Sequence, residues 1–217
     1  MDGGSTDNSI EIIKKFGRAI TYWASEKDNG QAHAINKGLR MLSGDIVGWI
    51  NSDDLYTPGT FEVVTEAFKD PAVMWVTGNC EVIDEHEKVT DQYRAEIPST
   101  SMQWLRTLIC GYSYSFLQPS TFWRKEVMTK TGLLNELFHY SFDHEFFYRI
   151  LKNVGPPKVL DRKLSQFRLH STSKTSSGID KFSKENRQIG LLHAHNESLK
   201  DMMYLYALYL RYRYKNG

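Results

Sequence analysis

The chain has 217 residues, 41% of them hydrophobic, enough for one sizeable core and too apolar for a disordered chain. Its formal net charge of +1 gives no bulk attraction to nucleic acid, so nucleic acid is not expected as a partner and any ligand must be held by a local site. The two cysteines, Cys80 and Cys110, have neither metal-ligand spacing nor a disulfide framework, and no signal peptide or membrane-length apolar run is visible, which predicts a soluble cytoplasmic chain, at most peripheral at the inner face of the membrane.

In chain order, Ser5 or Asp7 caps a helix ending at Phe16, residues 19–24 read as a strand, and residues 31–42 as a helix closed by Gly44. Residues 45–50 form a short buried strand, Pro58 opens a helix to Phe68, and residues 73–77 form another strand ending at Gly78. Such alternation predicts an α/β fold with a mostly parallel sheet flanked by helices. Residues 81–83 and 88–93 then read as a hairpin, and residues 99–110 as a helix. A strand over 116–123, helices over 125–131 and 142–153, and a strand over 164–169 follow. The polar run 171–178 reads as a loop, and a long helical segment begins at Ile179. This predicts a catalytic domain over 1–175 and a C-terminal helical extension over 176–217.

The strand over 45–50 ends in Asn51-Ser52-Asp53-Asp54. Two adjacent carboxylates at the mouth of an apolar strand repel each other unless a cation or a hydroxyl-rich ligand lies between them, so the pair points to metal-assisted chemistry. In open α/β sheets such strand ends are where ligands bind.

The series Asp2-Gly3-Gly4-Ser5-Thr6-Asp7, Asp28-Asn29-Gly30, Ala34-Ile35-Asn36-Lys37-Gly38 and Asn51-Ser52-Asp53-Asp54 resembles the family 2 inverting glycosyltransferases of the GT-A fold. The likeness continues through Gln118-Pro119-Ser120-Thr121, the Asp143 segment and Phe167-Arg168-Leu169-His170, so it covers roughly residues 2 to 175. It implies transfer of one sugar from a nucleotide-diphosphate sugar, UDP- or dTDP-linked, to a saccharide, a lipid-linked glycan or another hydroxyl acceptor. It also implies Mn²⁺ or Mg²⁺ on the diphosphate as a Lewis acid.

By the same resemblance Asp54 is a metal ligand, with His170 completing the metal shell, and Asp53 holds ribose hydroxyls or assists the metal. Asp2 would accept a hydrogen bond from a pyrimidine ring, and Asp28 with Gly30 would form a turn against the nucleotide. Asp143 is the base that takes the acceptor's proton, with Glu145 as competitor; on a helix the two point about 200° apart, so only one can face a cleft.

Local roles remain open for several of these residues. Asp2-Gly3 and Asp28-Asn29-Gly30 are turn signals in their own right, Asp143 could complement a helix dipole, and Arg168 could pair with an acid as readily as with a diphosphate. Asn36 and Lys37 could face the donor or simply belong to an amphipathic helix. The aromatics Phe116, Phe122 and Trp123 read as core.

Two departures from the family qualify the expectation. There is no Gln-x-x-Arg-Trp motif followed by membrane spans, which favours single-sugar transfer over processive synthesis. The strand and helix that would precede Asp2 are missing, which predicts an open sheet edge and a tendency to self-associate. A sugar-phosphate nucleotidyltransferase and a non-catalytic nucleotide-sugar-binding fragment are the competing readings. The C-terminal Leu- and Tyr-rich segment from Leu199, with Lys200, Arg211, Arg213 and Lys215, suits either an interfacial helix or a helix packed on the catalytic domain or on a partner subunit.

Overall fold

The computed structural model describes residues 1–110 and 118–216, built around one mixed sheet. Its strands are β1 (Ile46–Val47), β2 (Leu55–Tyr56), β3 (Trp75–Ile83), β4 (Val89–Tyr93), β5 (Thr121–Arg124) and β6 (Lys158–Arg168). Their order is β1-β5-β3-β6-β2, with β4 joined to β3 as a hairpin. The longest pairing, β3 with β6, is parallel and runs from Val76 opposite Lys158 to Ile83 opposite Arg168. The shorter pairings described are antiparallel, so the parallel character resides in the centre of the sheet.

Alternation along β3 divides the core between the two faces of the sheet. Trp75 packs with Trp123, Phe146 and Phe147 in a large cluster, whereas its neighbour Val76 packs with Phe122, Leu164 and Val64 in a smaller one. Strand β3 is therefore buried on both faces, as the centre of a covered sheet must be.

The helices are α1 (Ser9–Lys15), α2 (Gln31–Arg40), α3 (Thr60–Ala67), α4 (Ser101–Cys110), α5 (Val127–Thr131), α6 (Phe142–Val154), α7 (Lys174–Ser177), α8 (Ile179–Ala194) and α9 (Leu199–Asn216). Helix α6 carries the central apolar mass, with Phe146, Phe147 and Ile150 fully buried. Ile189, Ala194 and Leu205 of the C-terminal helices enter the same cluster. Among the described residues, no helix is long and apolar enough to cross a membrane.

Four expectations from sequence are corrected. Residues 73–77 and 81–83 are parts of one strand, because Gly78 continues β3 where it crosses Leu164: a Cβ at Gly78 would lie 2.6 Å from the Leu164 side chain. Residues 19–24 form no strand; that region has only the isolated bridge between Asp2 and Ser25, and a lone bridge cannot propagate a ladder. The strand over 45–50 is paired only at Ile46–Val47, against β5. The polar run after His170 contains the short α7, and Phe116 lies outside the described residues while Phe122 and Trp123 are core as expected.

Candidate active site

The chain leaving β1 turns at Asn51, where the Asp54 N–H donates to the Asn51 carbonyl at 3.2 Å, and re-enters the sheet as β2. This turn sends the two acids in different directions. Asp54 is buried: its Oδ1 accepts the Arg168 backbone N–H at 2.9 Å and its Oδ2 accepts the Asn51 side-chain amide at 3.0 Å. Burial pushes this carboxyl up to about 6, more strongly than the two hydrogen bonds hold it down. Asp53 points outward, its side chain 40% exposed, and its Oδ2 lies 3.4 Å from Nε2 of His170. The other imidazole nitrogen of His170 is 2.9 Å from the Thr172 hydroxyl, which orients the ring toward Asp53.

Arg168 holds the scaffold beneath this pair. Its guanidinium donates to the carbonyls of Asp53 at 2.8 Å and Asp84 at 3.0 Å and reaches Glu87 at 3.3 Å. Its charge is thus spent on the turn after β1 and on the β3–β4 hairpin.

A cavity of about 1150 Å³ opens beside the pair. Its wall contains Asp53, His170 and Asp143 together with apolar Ile35, Leu39, Val47 and Trp49. Asp143 stands in the first turn of α6, where Oδ1 accepts the His144 N–H at 2.8 Å. Glu145 lies on the opposite side of that helix, buried, receiving two hydrogen bonds from Arg149 at 2.8 and 2.7 Å and lying 3.0 Å from Nε2 of His193. Burial alone would raise the Glu145 pKa, but His193 and Arg149 outweigh it and hold the carboxyl below its ordinary range. Glu145 therefore ties α6 to α8 and takes no part in the cavity wall.

Asp2, Asp28, Gly30, Asn36 and Lys37 lie outside that wall. Asp2 makes an Asx-type turn: Oδ2 accepts the N–H groups of Gly4 and Ser5 at 2.9 Å and the Ser25 hydroxyl at 2.6 Å, while Oδ1 accepts the Ser5 hydroxyl at 2.5 Å. The Ser25 and Ser5 hydroxyl bonds hold its pKa far below the usual carboxylate range. Asp28 Oδ1 accepts the Gly30 N–H at 2.8 Å, and Gly30, at φ of 110°, turns the chain into α2. The two turns touch, since a Cβ on Gly3 would fall 2.5 Å from Asp28 Oδ2. Asn36 and Lys37 do not face the cavity: Asn36 clamps the backbone of Leu134 in both directions at 2.9 Å, and Lys37 pairs with Glu26 at 3.0 Å.

The structure adds residues whose roles sequence alone did not single out. Gln31 donates to Asn51 at 2.9 Å, Gln118 donates to the Trp49 carbonyl at 2.5 Å, and Lys174 reaches back from α7 to Gln31 Oε1 and the His139 carbonyl, both at 3.1 Å. Asn51 and Gln118 sit inside recognisable motifs. Lys174 had no such signal, because it lies in a polar run whose composition says only loop.

An α/β fold with a mixed central sheet, and with an acidic turn at a strand end and a helix-borne carboxylate in the wall of one cavity, is the architecture of the GT-A class of glycosyltransferases. Solved structures agree in fold: Staphylococcus aureus TarS 1–349, in complex with UDP-GlcNAc, superposes with a TM-score of 0.63 over 100% of this chain and 63% of its own, at 15% identity. A mannosyltransferase from Pyrobaculum calidifontis in complex with GDP-Man and Mn²⁺ gives a TM-score of 0.58 over 91% of this chain and 54% of its own, also at 15% identity.

The chain belongs to glycosyl transferase family 2, whose profile matches residues 1–161. An uncharacterized glycosyltransferase of Nostoc sp. is 23% identical over 190 residues, covering 85% of this chain and 59% of that protein. The chain thus spans little more than half the length of that relative.

Proposed function

We propose that the chain carries the catalytic site of a metal-dependent inverting glycosyltransferase that moves a single sugar from a UDP- or dTDP-sugar to a hydroxyl acceptor, either a saccharide or a lipid-linked glycan. The observation that carries the reading is the convergence of Asp53, His170 and Asp143 on one cavity. Asp53 and His170 fit a divalent ion: a carboxylate oxygen and an imidazole nitrogen 3.4 Å apart are close to the separation of about 3 Å expected for neighbouring ligands in an octahedron with bonds of about 2.1 Å. The nitrogen donor favours Mn²⁺ over Mg²⁺. Among the described residues no group of three acidic, His or Cys side chains gathers for a metal, so water and the donor's diphosphate would supply the other ligands. Bound there, the ion would act as a Lewis acid on the leaving diphosphate.

Asp54 serves this site indirectly in the reading, by fixing the turn that presents Asp53. It is absent from the cavity wall, with its oxygens turned to the Arg168 N–H and the Asn51 amide, which departs from the ligand role implied by resemblance. Lys174, hydrogen-bonded to two neutral oxygens and lying 5.8 Å from the centre of the Tyr140 ring, is in the cavity wall and would meet diphosphate charge. Asp143 Oδ2 has no hydrogen-bond partner among the described residues and is free to accept the acceptor hydroxyl's proton as that oxygen attacks the anomeric carbon. On the nucleoside side, Asp2 stays ionised, and its Oδ1, with a single partner, retains a lone pair for a pyrimidine N–H. Asp28 and Gly30 shape the adjoining turn.

Calorimetric titration of UDP with Mn²⁺, and again with the metal chelated, tests this reading. Metal-dependent affinity in the native chain, lost in Asp53→Ala, supports it. Equal affinity with and without metal overturns it.

A further inference from the structure

The last helix presents an apolar face to solvent. Along α9, Leu199, Met203, Leu210 and Tyr214 are 70%, 63%, 63% and 93% exposed, and Ala207 is exposed between them. At 100° per residue these five positions fall within an arc of about 80° and form a strip about 22 Å long. The opposite face of the helix is the packed one, with Leu205 fully buried and Leu208 and Tyr209 against the core. The exposed strip is therefore not the helix's contribution to folding. Solvated helix faces ordinarily carry charge, and a continuous apolar strip in water marks a contact surface.

Charge decides what covers it. Lys200 and Arg211 flank the strip on one side and Arg213 on the other; all three are exposed and make no ion pair among the described residues. The only acid of the helix, Asp201, lies about 200° from Leu199 and is bonded to the Ser198 hydroxyl at 2.7 Å. A second copy laid along the same strip would bring these cations against their own equivalents. A strip one side chain wide is also narrow for a stable protein interface, which takes roughly 800 Å² per partner.

We infer that α9 docks in the plane of an anionic lipid surface, with Leu199, Met203, Leu210 and Tyr214 in the interface and Lys200, Arg211 and Arg213 against lipid phosphates. Long basic side chains reach headgroups from a helix whose apolar edge is shallowly buried, and tyrosine suits that boundary. The net charge of +1 gives no bulk attraction to an anionic surface, so any attraction must be local. The inference goes beyond the transfer reaction and stands without it.

Sedimentation with vesicles of phosphatidylcholine, alone or mixed with phosphatidylglycerol, tests it on the full chain. The native protein should sediment with the mixed vesicles at low salt, stay in solution with phosphatidylcholine alone, and be partly released by high salt. Neutralising Lys200, Arg211 or Arg213 with Gln should lower the partition coefficient about fivefold for each charge removed. Leu210→Asp should abolish binding, and since Leu210 is exposed, its thermal unfolding should match the native chain. Absence of native binding to anionic vesicles at low salt overturns the inference. So does a native dimer by analytical ultracentrifugation that Leu210→Asp dissolves, which would assign the strip to a second copy.

Discussion

The backbone N–H of Arg168 donates to Asp54 Oδ1 at 2.9 Å, tying the turn after β1 to the end of β6. This one bond places Asp53 and His170, which are 117 positions apart in sequence, on the same rim. It also separates the jobs of the two adjacent acids, one inward and structural, one outward and facing the cavity.

Replacing them should have different consequences. Asp54→Ala removes the acceptor for two half-buried donors, costing up to about 1–3 kcal/mol for each group left unsatisfied, and should lower the melting temperature by several degrees. Asp53→Ala breaks no buried bond and should leave melting unchanged while weakening Mn²⁺-dependent UDP binding at least about tenfold, as expected for loss of one of two protein ligands. Differential scanning fluorimetry and calorimetry on both variants check this, and the reverse pattern would return the ligand role to Asp54.

The titration of Asp54 sets a pH dependence. Burial raises its carboxyl from 3.8 to about 6, so between those values the folded chain holds a proton that the unfolded chain has released. The stability this group contributes is full below 3.8 and is lost as pH rises through about 6. A shift of this size amounts to about 3 kcal/mol. Urea unfolding across this range should show the native chain losing stability relative to Asp54→Asn by about that amount; a constant difference would mean the carboxyl titrates normally.

Asp143 and Glu145 should separate chemistry from folding. Asp143→Asn keeps the shape of the side chain but removes its basic oxygen, so donor affinity should persist while transfer slows on the order of 10²-fold or more. Glu145→Gln leaves Arg149 and His193 facing a neutral partner in a buried site, and should cost about 3–5 kcal/mol of stability. Steady-state transfer rates and thermal melts on both variants read the two effects. Normal turnover in Asp143→Asn with a stable, inactive Glu145→Gln would exchange their roles.

Gly78 lies in β3 where it packs closely against β6. An added Cβ would meet the Leu164 side chain at 2.6 Å and the Arg162 carbonyl at 2.8 Å, and backbone cannot yield as a flexible side chain can. Gly78→Ala should destabilise the fold by at least about 1–3 kcal/mol, the usual cost of overpacking, measured by urea denaturation. Gly59→Ala is the control for lost glycine, since its Cβ would meet nothing within 4 Å and only its φ of 80° is strained.

Much of this protein was legible in its residues. Local periodicity predicted α2, α3, α4 and α6, because capping and amphipathic spacing act within a few residues of each other. The Asp53-Asp54 pair stood out because adjacent carboxylates at the end of an apolar strand repel each other, whereas Asp143 and His170 stood out through the family resemblance. What the residues could not convey were relations across the sheet. Gly78 reads locally as a stop and becomes a passage only because Leu164 crosses it. Two neighbouring acids read alike until the Arg168 N–H selects one of them. Asp143 and Glu145 share a helix, and the choice between them falls to Arg149 and to His193 on a helix much later in the chain. Lys174 gains a role only through Gln31, 143 positions earlier. Propensity and motif act over short stretches of chain, whereas burial, hydrogen-bond satisfaction and the direction a carboxylate faces depend on partners that only the folded chain brings near.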